Sequence, residues 1–282
     1  MYKIKFIKVF KTIGGKSRLL KKMLPILRFV FRRMGVRGYL DLFGGGNKFI
    51  PQIYGFPLAH RVYNEFDTGI ANLMSCLADW GKTREMIRLT YRLQFSIQSQ
   101  EDFDKANEVR RRSETPQTKS AALTIIVAEF SRAADRKNFC KLNAEKGISY
   151  KSLIRYTELV PIMRNVIVTN NSYELYFEKY GHRNDFLCLL DPPYVDSDIY
   201  LDGFTRQMHI DMARRIVSTQ MKVILCGTDD KGIYDYLIEN GWYKYCLGKI
   251  PKSSAGKHGE EQEEFIWTNF PIPSYLLPRQ CR

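Results

Sequence analysis

Asp191-Pro192-Pro193-Tyr194 carries the most pointed chemistry in this chain, at the end of the apolar run Phe186-Leu187-Cys188-Leu189-Leu190. The Asp191 carboxylate and the Pro192 carbonyl are both hydrogen-bond acceptors, and neither proline brings an amide proton of its own. Such a pair suits an aromatic amine, a poor nucleophile because its lone pair is delocalised into the ring. If each acceptor takes one N–H, the nitrogen pyramidalises and its lone pair is freed for an electrophile. The same acceptors stabilise the positive charge that then develops on nitrogen. Tyr194 offers a ring on which a flat partner could stack, worth roughly 1–3 kcal/mol. The plain alternative for Asp191 is a turn or helix-capping residue.

A turn of this kind needs a rigid support. The run Phe186–Leu190 is short and apolar on both faces, as a central strand of a covered parallel sheet should be. The prolines forbid its continuation, leaving the turn at the carboxyl end of a strand, where open α/β sheets bind ligands. Val36–Phe43 reads as another strand, running into Gly44-Gly45-Gly46-Asn47. Those glycines permit positive φ and close approach of a ligand, and Asn47 is the side chain that best tolerates such a conformation. A third strand, His60–Tyr63, ends in Asn64-Glu65-Phe66-Asp67. An acid about 20 residues beyond a glycine turn is placed to accept hydrogen bonds from ribose hydroxyls.

Helical spacing covers residues 17–34, closed by Gly35, then 68–80, 84–95, 121–130, 171–180, 207–218 and 231–239. Residues 166–169, Lys222–Gly227 and Trp242–Leu247 read as strands, and Glu264–Phe270 as a closing β-rich run. Two strands in succession at the end predict an edge hairpin. Between about 82 and 165 the character changes to helices, with an irregular part near 140–149, in which basic residues are interleaved with aromatics. The chain therefore reads as α/β: a Rossmann-like, doubly wound sheet with an antiparallel edge hairpin, residues 1–81 and 166–282, and a mostly helical insert, residues 82–165.

A formal net charge of +14 points to a polyanionic partner, nucleic acid or an acidic membrane surface. Arg84, Arg88, Arg110, Arg111, Arg112, Arg132 and Lys137 of the insert are the candidates for phosphate contacts, which supply salt-dependent affinity without sequence information. The other reading is a solvated charged face. The six cysteines form no CxxC pair and have no histidine at zinc spacing, so no metal is expected and a reducing, cytoplasmic compartment fits. No signal peptide is expected, and the apolar stretch 23–34 is too short and too charged to span a bilayer.

The ordered set of motifs resembles the Dam-type DNA adenine methylases, which use S-adenosylmethionine. It comprises Lys11-Thr12-Ile13-Gly14-Gly15-Lys16, Phe43-Gly44-Gly45-Gly46, Asn64-Glu65-Phe66-Asp67, Asp191-Pro192-Pro193-Tyr194, Phe204 with His209, and Glu264-Phe265-Ile266-Trp267-Thr268-Asn269. The resemblance implies that Lys11, Gly14, Gly15, Lys16, Asp41, Phe43, Gly44, Gly45, Gly46, Glu65, Ser172, Tyr173 and Asp191 line the cofactor site, with Glu65 on the ribose. It implies that Asp191, Pro192 and Tyr194 receive an adenine flipped out of the duplex, that the insert is a target-recognition domain for DNA, and that the enzyme acts as a monomer. Three positions depart from the family pattern: Thr12 replaces an aromatic residue, Asn47 a glycine and Ser172 an acid. Cytosine-N4 methylation uses similar acid-Pro-Pro-aromatic loops. RNA or protein-amide methylation and a DNA-binding relative without catalysis are the further alternatives.

Overall fold

A computed structural model describes residues 17–195, 203–228, 232–251 and 261–278. Lys11, Gly14, Gly15 and Lys16, and most of the polar loop 251–261, lie outside the described residues. The described strands are β1 Gly38–Asp41, β2 His60–Asn64, β3 Ile167–Thr169, β4 Phe186–Leu190, β5 Lys222–Gly227, β6 Tyr243–Pro251 and β7 Glu261–Thr268. They form one sheet in the order β3-β2-β1-β4-β5-β7-β6. β4 runs parallel to β1 and β5, whereas β7 is antiparallel to both β5 and β6. The expected edge hairpin is thus β6–β7.

The helices are α1 Ser17–Arg33, α2 Ile50–Ile53, α3 Thr68–Cys76, α4 Trp80–Leu93, α5 Gln100–Val109, α6 Gln117–Phe130, α7 Lys141–Lys146, α8 Tyr150–Ile154, α9 Val160–Met163, α10 Glu174–Tyr180, α11 Arg206–Ile216 and α12 Asp235–Glu239. Among the described residues the chain divides into two compact units. One takes in Gly45–Tyr54 and Tyr63–Asn170, the other residues 17–44, Gly55–Val62 and those from Asn171 on.

In the second unit all residues of β1 and β4 are buried: β4 is apolar throughout, whereas β1 also buries the acid Asp41 at its end. α1 buries Leu19, Met23, Ile26, Leu27 and Val30 at helical spacing and ends before Gly35, whose φ is +64°. Gly38 pairs with Phe186, and a Cβ there would lie 2.4 Å from the Phe186 ring, so only glycine lets that ring cross β1. The ring in turn stacks on Tyr180 at 4.9 Å.

The first unit is mostly helical, with β3 and the end of β2, and includes the stretch 82–165. Its centre is α6, buried along most of its length from Thr118 to Phe130, as a helix apolar on several faces must be. The 68–80 segment is not one helix: α3 ends at Cys76, and Asp79, in extended conformation, caps α4 by accepting from the Lys82 N–H at 2.8 Å. Residues 140–149 are less irregular than their composition suggests, because α7 forms there and Gly147, at φ +64°, ends it. β6 extends beyond Leu247 to Pro251, through a bulge at Gly248 with φ +78°.

Candidate active site

In the second unit, the carboxyl ends of β1 and β4 lie side by side. The parallel register pairs Asp41 with Leu189, and the Leu42 N–H donates to the Leu189 carbonyl at 3.2 Å. Phe43 and Asp191 each follow two residues beyond that pair. The strand order changes direction at this point, with β2 and β3 to one side and β5 to the other. This is the topological switch point at which doubly wound sheets hold their ligands. Asp191 is half-buried, Pro192 is buried, and Tyr194 is half-buried.

Tyr194 is tied down from the sheet. Its hydroxyl donates to the carboxylate of Glu264 on β7, and the Gln262 amide donates to the same oxygen at 2.9 Å. Glu264 is fully buried. The Tyr194 ring is therefore held in one orientation by a carboxylate 70 residues away in sequence. Tyr194→Phe keeps the ring and removes this donor. It is expected to lower the unfolding free energy by about 1–3 kcal/mol, measured as a shift of the urea midpoint at constant slope; an unchanged midpoint would mean that the bond is immaterial.

Phe43, Tyr173 and Phe204 form a mutual aromatic cluster, with ring centroids 5.5, 5.5 and 6.0 Å apart. Phe204 meets His209 edge-on at 4.6 Å, and His209 Nδ1 shares a 2.5 Å hydrogen bond with the Tyr234 hydroxyl. Tyr234 leans on Trp267 at 4.7 Å. His209, though at the start of α11, belongs to this buried cluster and is not an open helix-cap residue; Thr205 caps α11. Beneath lie buried acid and phenol on β1. Burial, then the charges of Asp41, Cys226, Cys188 and Asp191, pushes the Tyr39 hydroxyl well above its ordinary pKa, so Tyr39 stays protonated. Ser172 is exposed, and its hydroxyl donates to Glu174.

In the first unit, the glycine turn behaves as its residues require. Gly45 has φ +47° and Asn47 φ +49°, both left-handed. The asparagine therefore occupies a position that otherwise favours glycine, and its buried amide reaches the Met163 sulfur at 3.1 Å. Glu65 accepts from the Gly45 N–H at 2.6 Å and from the Asp67 N–H at 3.0 Å. Burial raises its pKa, against the lowering pull of these bonds. Each of its oxygens keeps a second acceptor position, so a hydroxyl donor could still be held there. The Tyr63 hydroxyl donates to the Gly45 carbonyl at 2.6 Å, fixing the turn from the other side.

One residue of the phosphate-binding set must be corrected. Arg110 is fully buried, and its guanidinium forms a bidentate pair with Asp67 at 2.6 and 2.8 Å. It cannot face a phosphate, because it ties α5 to the cap of α3. Asp67 also accepts the Ile70 N–H at 3.0 Å, and Arg136 approaches it at 3.4 Å. Gly69 leaves the necessary room, since a Cβ there would lie 2.4 Å from Arg110 Nη1. Arg111 is half-buried, and Arg112 is exposed but paired with Glu108. Arg84, Arg88, Arg132 and Lys137 are exposed. The last two sit on a tight hairpin closed by the Ser131–Phe139 bridge.

Sequence reading alone missed Glu264 as the partner of Tyr194, and Tyr234 as the partner of His209. The available signal was Glu264, the last of the acids Glu260, Glu261, Glu263 and Glu264, directly abutting the apolar run Phe265-Ile266-Trp267, where a buried charge is retained only if something pairs with it. Among the described residues no group of three or more His, Cys, Asp or Glu could hold a metal ion, and no helix is long and apolar enough to cross a membrane. No family model matches the chain, and no curated protein matches it.

Proposed function

We propose that this protein is a site-specific DNA adenine methyltransferase that uses S-adenosylmethionine. The observation that carries the reading is the placement of Asp191-Pro192-Pro193-Tyr194 at the carboxyl end of β4, beside the end of β1 at the switch point of the sheet. The residues of the second unit fit such a cofactor: half-buried Phe43, backed by the buried Tyr173 and Phe204 rings, offers an aromatic face to a cationic and purine-bearing group. When bound, the cofactor supplies a methyl group on a positively charged sulfur.

The chain's own residues do the rest. Asp191 Oδ and the Pro192 carbonyl accept the two N–H bonds of the adenine N6, turning its lone pair toward the methyl carbon. As the N–C bond formed and the methyl carbon's bond to sulfur broke, leaving a neutral thioether, the charge passing to nitrogen would meet the Asp191 carboxylate already in place and would be discharged by loss of one N6 proton, so little reorganisation is needed. Tyr194, clamped by Glu264, presents a fixed face for the purine, and in-line positioning supplies much of the remaining acceleration. The target base must leave the duplex stack to reach such a turn. Exposed Arg84, Arg88, Arg132 and Lys137 would neutralise DNA phosphates, with affinity falling as salt rises.

Methyl-labelled S-adenosylmethionine incubated with mixed-sequence duplex DNA tests this. Label is expected in the DNA. Binding of DNA without any transfer would favour a DNA-binding relative that lacks catalysis.

A further inference from the structure

α4 presents Arg84, Arg88 and Arg92 in a row four residues apart, all exposed. Four residues of α-helix advance about 6 Å, so the three guanidinium groups line one stripe. None of the three side chains pairs with a carboxylate among the described residues; the acid nearest in sequence is Glu85, also exposed and unpaired. Some other surface cations do have an acidic partner, among them Arg112, Lys141, Arg183 and Arg215. Like charges four residues apart on a helix repel one another modestly, and a bound polyanion relieves that repulsion.

Beside this stripe lie aromatic rings that the core does not use. Tyr91 is 41% exposed, Phe95 64% and Tyr150 45%. They touch one another edge to face, Tyr91 to Phe95 at 5.9 Å and Tyr91 to Tyr150 at 5.5 Å. The cluster is built by three elements of the same unit: Tyr91 near the end of α4, Phe95 in the short 3-10 turn Gln94–Ser96 that follows it, and Tyr150 at the start of α8. A cluster so exposed offers a surface for a flat partner, and cations alongside favour a polyanionic one. Nucleic-acid bases on a phosphate chain satisfy both demands. Paired bases inside a duplex hide their faces, whereas a single strand offers them.

We infer that the α4–α8 face is a platform for single-stranded nucleic acid, on which Arg84, Arg88 and Arg92 follow the phosphates while Tyr91, Phe95 and Tyr150 stack on bases. The platform shares with the proposed function the class of partner and the phosphate contacts of Arg84 and Arg88. It requires neither transfer nor a flipped adenine.

Fluorescence anisotropy with labelled oligothymidylate of about 16 nucleotides tests it, because this probe contains neither adenine nor cytosine and so cannot engage a methylation target. The wild type is expected to bind it more tightly than a duplex of equal length. The triple variant Arg84→Ala, Arg88→Ala, Arg92→Ala should weaken binding and reduce the slope of log K against log salt by about 2. The Arg→Lys triple, which keeps the charges, should retain the slope. Tyr91→Ala, Phe95→Ala, Tyr150→Ala should weaken binding about tenfold or more with the slope unchanged. Thermal midpoints equal to wild type would show that each variant is folded; for an unfolded triple, Phe95→Ala alone carries the test.

Unaltered binding by the aromatic variant, or equal binding of the duplex, would overturn the inference. Loss of binding in the variants of a protein that methylates nothing would leave the platform standing and remove the methyltransferase reading. Methylation by a protein whose variants all bind oligothymidylate normally would do the reverse.

Discussion

Asp191→Ala is expected to lower methyl transfer by a factor of at least about 10²–10³, the usual cost of removing one preorganised electrostatic group from a site of charge development. The side chain is half-buried in a turn beyond β4, not packed in the strand itself, so the variant should fold with a normal thermal midpoint. The loss should fall on kcat more than on KM, since the acceptor acts on charge that exists only in the transition state. Asp191→Asn, which keeps an acceptor oxygen but no charge, should lie between the two. Single-turnover rates at saturating DNA and S-adenosylmethionine would separate these cases. Equal kcat in wild type and Asp191→Ala would remove Asp191 from the chemistry.

The second large effect is on stability. Arg110→Ala leaves the buried carboxylate of Asp67 without its bidentate partner, and should cost about 3–5 kcal/mol in denaturant unfolding. Burial alone would raise the Asp67 pKa, but the Arg110 charge and its hydrogen bonds, helped by Arg136, hold it well below the ordinary carboxylate range. A depressed folded-state pKa stabilises fully above the unfolded value of about 3.9 and loses that contribution as pH falls toward the folded value. The gap between wild type and Arg110→Ala should thus be full at pH 6 and shrink as pH is lowered below about 4. Arg110→Lys should not restore it, because an ammonium cannot reproduce the fork. A gap independent of pH would show that Arg110 acts through packing and not through Asp67.

These two residues also mark what could be read from the sequence. The place of Asp191, in a turn at the end of β4, was legible because its signal is local: a strand buried on both faces, two prolines and an aromatic residue, all within nine positions. For the same reason β4 and β5 lie where the apolar runs Phe186–Leu190 and Lys222–Gly227 put them. Asn47 in the left-handed region follows from its own short amide side chain.

Arg110 was not legible. Within Arg110-Arg111-Arg112 it looks like its neighbours, and what distinguishes it is a carboxylate 43 residues earlier. Glu264 is the same case, since its partner Tyr194 is known only once β7 is beside β5. The break between α3 and α4 escaped because apolar spacing continues through it, while the Asp79 cap depends on backbone conformation. Local pattern thus reveals elements and the turn that ends them; long-range pairing decides which charges face a ligand and which hold the fold.

The central claim is transfer of a methyl group to the N6 of adenine in DNA. Duplex DNA of mixed sequence, treated with the protein and methyl-labelled S-adenosylmethionine and digested to nucleosides, resolves it by chromatography. The account predicts that the label co-elutes with N6-methyladenosine of the deoxy series and disappears in Asp191→Ala. Label in N4-methylcytosine, or none in any nucleoside, would contradict it.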